Sequence, residues 1–161
     1  MPLLKLRRQK DTGKGELQEL LKRAKPLPNI FKPDWLDELD DGLVGWVVMN
    51  AETWKPKRSP AAIEGRPLPE AVELNGAYYA GLIIMNDGRT YLADKVAYEI
   101  MALADGSMTL NDIVAKLVAE LAEDEPKVKE ALEKNNREVL RDVFSVFYVA
   151  AAMLRDKGLL V

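Results

Sequence analysis

Between residues 77 and 121 the spacing of apolar positions changes period twice, and the elements it predicts follow one another without a gap. Residues 77–85 form an apolar and aromatic run of strand character, Asn86-Asp87-Gly88 supplies turn residues, and residues 89–94 resume the strand pattern, which together predict a β-hairpin. After Asp94 the period becomes helical: Val96, Ile100 and Leu103 recur with Tyr98 and Met101 alongside, and Asp94 is placed to cap the helix. Asp105-Gly106-Ser107 ends it. Thr109 or Ser107 caps a second helix whose Leu110, Ile113, Val114, Leu117, Val118 and Leu121 share one face. Upstream, Ala71-Val72-Glu73-Leu74 alternates as a short strand before the Asn75-Gly76 turn, making three antiparallel strands.

The flanks extend this unit. Leu140, Val143, Phe144, Phe147, Ala150, Ala151 and Leu154 give residues 137–157 a wide apolar helical face, Gly158 stops the helix, and Leu159-Leu160-Val161 can fold back on it. Residues 122–138 are strongly charged, with Pro126 suited to a helix start and Asn135-Asn136 to a break. On the N-terminal side a short helix is expected at 16–24, with Leu17, Leu20 and Leu21 on one side. Pro26, Pro28 and Pro33 then read as an extended connector, and Trp35, Leu36 and Leu39 as a short amphipathic turn. The apolar stretch 42–49 reads as a strand, and the proline-rich stretch 55–69 as a linker or wrapping loop outside the core. The expected fold is α+β and winged helix-turn-helix-like: a three-stranded antiparallel sheet followed by three helices in residues 70–161, preceded by an extension and linker in 1–69 that can add a strand at 42–49.

Composition narrows the chemistry. At 161 residues with 48% hydrophobic and 30% charged, the chain has the balance of a soluble domain, and no apolar run approaches the ~20 residues that span a bilayer. With no cysteine and no histidine there is no thiol nucleophile, disulfide, imidazole base or Cys/His zinc site, which leaves only carboxylates as metal ligands. Residues 1–32 are basic although the net charge is -3, and the N-terminus lacks the apolar core of a signal peptide, so a cytoplasmic protein is expected. Gly13-Lys14-Gly15 lacks the spacing of a phosphate loop, and the acids from Asp34 to Asp41 lack the ligand pattern of a calcium loop. The carboxylate pairs Glu99 with Asp105 and Asp112 with Glu120 read as surface charge, and the five tyrosines as core or groove lining.

The run Gly88-Arg89-Thr90-Tyr91-Leu92-Ala93-Asp94, continued by Glu99-Ile100-Met101-Ala102-Leu103-Ala104-Asp105-Gly106 and by Thr109-Leu110-Asn111-Asp112-Ile113, resembles the PqqD-like family. The closing Leu154-Arg155-Asp156-Lys157-Gly158-Leu159-Leu160 is similar to that family's last turn. The likeness covers residues 70–161 and departs from the family in the N-terminal extension and the charged insert.

The resemblance implies a non-catalytic peptide chaperone, or leader-recognition element, in the biosynthesis of ribosomally made and modified peptides. It implies two partners, a precursor peptide and a radical-SAM maturase; no cofactor, metal or membrane is expected beside them, nucleic acid is disfavoured as a partner, and a homodimer is left open. The leader is expected to add a strand to the edge formed by Arg89, Thr90, Tyr91, Leu92 and Ala93, and to place apolar side chains against Phe144, Phe147, Tyr148 and Ala151 of the last helix. Two alternatives stand beside it: a winged-helix DNA-binding regulator reading with residues 109–121, and a scaffold subunit of a cofactor-maturation complex.

Overall fold

Turn chemistry places the hairpin where the pattern predicts it. In the computed structural model, which describes residues 5–6 and 13–161, strand β4 (Ala77–Met85) pairs antiparallel with β5 (Thr90–Ala93), and Gly88 takes the positive φ of 92° that the turn requires. Strand β3 (Ala62–Leu74) joins β4 through Asn75 and Gly76, both at positive φ. Two short segments of the N-terminal extension complete the sheet. Strand β1 (Lys5–Leu6) runs parallel to β3 at Glu64 and Gly65, and β2 (Lys25–Pro26) runs parallel to β5 at Tyr91 and Leu92. Among the described residues the sheet is therefore mixed and five-stranded, in the order β1-β3-β4-β5-β2. This corrects the three-stranded antiparallel sheet: unpaired edge groups are satisfied by distant chain, and a two-residue strand has no periodicity to read.

The proline-rich stretch is not a linker. Strand β3 begins at Ala62, and Pro67 and Pro69 are accommodated in a register shift between Pro67 and Val72. The expected boundary between residues 69 and 70 thus falls inside β3. Just before it, Arg58 N–H donates to the Ala104 carbonyl, Ser59 N–H to that of Leu159, and Lys57 and Val161 exchange both main-chain bonds. This segment ties the carboxyl end of the chain to the turn after the first core helix.

Residues 42–49 are helical, not a strand. Helix α2 (Asp41–Asn50) starts at Asp40, whose carboxylate accepts the Gly42 N–H. The run is apolar all round, so its periodicity does not separate helix from strand, and the preceding aspartate is the deciding signal. Val47 is fully buried, and Trp46 meets Trp54 edge to face at 5.3 Å, with the Arg155 guanidinium 4.1 Å above the Trp46 ring.

Four helices follow the sheet in place of the expected three, because Pro126 starts a separate helix within the charged insert; their ends carry the expected punctuation. Helix α1 (Gly13–Arg23) precedes β2; α3 (Lys95–Leu103) is capped by Asp94; α4 (Leu110–Asp124) opens on a reciprocal Thr109–Asp112 capping box; α5 (Pro126–Lys134) ends at left-handed Asn135; α6 (Arg137–Asp156) is capped by Asn136. Alternation along the strands divides the core between two faces. Ile83 and Ala93 join the large cluster with α3, α4 and α6, whereas Leu82 and Leu92 meet Leu20 of α1 on the other face. Among the described residues no helix is long and apolar enough to cross a membrane. Residues 1–4 and 7–12 of the basic arm lie outside the described residues.

Candidate functional site

The edge of β5 is occupied by the protein's own chain. Lys25 lies opposite Tyr91 and Pro26 opposite Leu92, and the Leu27 N–H donates to the Leu92 carbonyl at 2.8 Å. Pro26 and Pro28 have no N–H to offer, so Leu27 is the residue between them able to donate. Leu27 and Ile30 are 3% and 8% exposed and belong to the main core. Residues 25–31 therefore form a strap, held by backbone pairing at one end and by two apolar anchors below. This corrects the expectation that Arg89–Ala93 presents free backbone groups.

Asp94 fastens the strap to the fold. One carboxylate oxygen accepts the Ala97 N–H and caps α3; the other accepts the Ile30 N–H, both at 2.8 Å. The residue is 1% exposed, and burial pushes its carboxyl above the ordinary carboxylate range against the opposing pull of the N–H groups of Ala97, Ile30 and Val96. Asn29 holds the next turn: its side-chain oxygen accepts the Phe31 N–H, its amide nitrogen donates to the Tyr78 carbonyl, and its own carbonyl accepts the Trp35 indole N–H.

Where the strap leaves β5 a cavity of about 590 Å³ opens between α3, α4 and α6. Exposed Phe31 stands at its mouth, and Val96, Leu117, Leu121, Val143, Val146 and Phe147 supply apolar lining. A second cavity of about 440 Å³ shares Lys95, Glu99, Leu117 and Glu120 with the first and runs on to Tyr98, Ala80 and Pro67. Gly81 makes room at that end, since a Cβ there would lie 2.2 Å from the Tyr98 ring. Burial pushes the Tyr98 phenol up to about 12 and keeps it neutral.

The expected site residues separate. Of the helix face, Phe147 lines the groove, while Ala151 is fully buried, Phe144 packs against the core, and the Tyr148 hydroxyl donates to Asn111 at 2.6 Å. Along β5, Leu92 and Ala93 are buried, Thr90 is buried with its hydroxyl directed at the Gly88 carbonyl, Arg89 pairs with Asp87, and Tyr91 is half-buried. The residues that sequence reasoning did not single out are Leu27 and Ile30, whose only trace is two aliphatic side chains set among prolines; Glu99 and Glu120, read there as surface charge in separate pairs, line the groove together. For the DNA-binding alternative, the exposed positions of α4 carry Asp112, Glu120, Glu123 and Asp124 against Lys116, the wrong sign for phosphate contact. Comparison with family models, with curated proteins and with solved structures finds no match.

Proposed function

We propose that this protein is a non-catalytic peptide-binding chaperone of the PqqD-like kind, which holds a precursor peptide in extended form along β5 and presents it to a radical-SAM maturase. The strap is the observation that carries the reading. Lys25, Pro26 and Leu27 already lie on β5 by main-chain pairing, and the side chains of Leu27 and, beyond the paired stretch, Ile30 are buried beneath, which is the chemistry of strand addition. A precursor peptide uses the same cleft by taking the strap's place. The order of hairpin, capped helix, left-handed Gly106 and capped second helix supports the family resemblance.

The reading is tested by supplying the strap in trans. A fluorescent peptide copying residues 24–32 should bind saturably to a full-length Leu27→Ser/Ile30→Ser variant, followed by anisotropy. It should bind the unaltered protein far more weakly, because the tethered strap competes at an effective concentration on the order of millimolar. Circular dichroism establishes that the variant is folded. A folded variant that takes up no peptide would overturn the proposal.

A further inference from the structure

We propose that the groove between α3, α4 and α6 is a docking site for a cationic amphipathic segment of a partner protein. The two cavities adjoin along Lys95, Glu99, Leu117 and Glu120, and side by side they give an extended surface that suits a peptide segment more than a compact small molecule. Its lining is apolar, and bulky aliphatic or aromatic side chains would replace the water there. Its rim is acidic. Glu99, Glu120, Glu123 and Asp124 stand around it against the ammonium groups of Lys95 and Lys116.

The rim acids have little local compensation. Lys95 reaches Glu99 at 4.0 Å from an exposed position, and among the described residues Glu120, Glu123 and Asp124 have no ion-pair partner. Glu99 is half-buried, and burial raises its carboxyl while Glu120 adds to the rise against the pull of Lys95. A cation brought between Glu99 and Glu120 would relieve both effects. Apolar groups for the lining and positive groups for the rim define the ligand: lysine or arginine flanking large apolar residues on one face, as in a helix laid into a groove. Anionic ligands, nucleic acid and anionic membrane surfaces meet repulsion here. The site does not depend on β5 taking a peptide.

The probe is a synthetic amphipathic helix of Leu, Phe and Lys, with a control in which every Lys is Glu. Titrated into the ¹⁵N-labelled full chain, the cationic peptide should shift amides of Lys95–Glu99, Leu117–Asp124 and Val143–Phe147 saturably, and the acidic control should not. Glu120→Lys with Asp124→Lys, both exposed, should weaken binding by about tenfold with an unchanged melting temperature, and 0.5 M salt should weaken binding to the original protein in the same direction. Equal binding of both peptides, shifts confined to the acidic turn around Asp37, or unchanged affinity in the double variant would each overturn the proposal. So would a second copy in the groove, seen as concentration-dependent mass on sedimentation with no competition from the cationic peptide. The strap-peptide titration reads β5 and the present one reads the groove, so either can fail alone.

Discussion

Asp94 joins the strap to the first turn of α3. Its two oxygens serve different N–H groups, those of Ala97 and Ile30, and an asparagine has a single acceptor oxygen to offer them. Asp94→Asn therefore leaves either the α3 cap or the strap facing an amide donor, and should cost about 1–3 kcal/mol in urea denaturation at neutral pH. The pH dependence carries a sign. Because burial raises the carboxyl in the folded state, the folded protein holds this proton more tightly than the unfolded chain. The resulting stability is fully present below the unfolded value of about 3.9 and is lost as pH rises through the higher folded value. The asparagine variant should lack that component. The capping role of Asp94 was legible because a helical period follows it directly; its bond to Ile30 was not, because nothing local links residues sixty-four apart.

Among the elements, the helices of residues 95–156 lie where their capping and turn residues place them, and α1 covers most of the helix expected at 16–24 without such punctuation. Asp94 and Gly106 bound α3, Thr109 opens α4, Pro126 and Asn135 bound α5, and Asn136 and Gly158 bound α6. Helix α2 was misread because eight successive apolar or glycine residues fit either period, although Asp40 marks its start. Asp40→Ala should cost about 0.5–2 kcal/mol. It should also perturb tryptophan fluorescence, because the cap positions Trp46 under Arg155. Strand β3 was half hidden by Pro67 and Pro69, which signal a loop unless a bulge absorbs them. In the candidate site Phe147 was legible from helical spacing. Phe144, Tyr148 and Ala151 share the spacing but turn into the core or onto Asn111, a choice made by the elements packed around α6.

At the scale of the molecule residues 13–54 are part of the fold. Leu27, Ile30, Leu39 and Val47 lie in the same core as Leu154 and Leu160, and α1 covers the second face of the sheet. A fragment of residues 70–161 loses the first half of β3 and uncovers these contacts, so its thermal melt should be broad and non-cooperative where the full chain melts in one transition. A cooperative melt of the fragment would make the extension a dispensable cover. The peptide-binding proposal makes a sharper demand, namely that an incoming segment reproduces the strap's own parallel pairing on β5. The direct measurement is isotope-filtered NMR on the Leu27→Ser/Ile30→Ser variant bound to a ¹³C-labelled peptide copying residues 24–32. Contacts from the peptide's lysine-proline pair to Tyr91 and Leu92, in the order seen for Lys25 and Pro26, are the predicted result. Saturable binding with contacts only to residues outside β5 would contradict it.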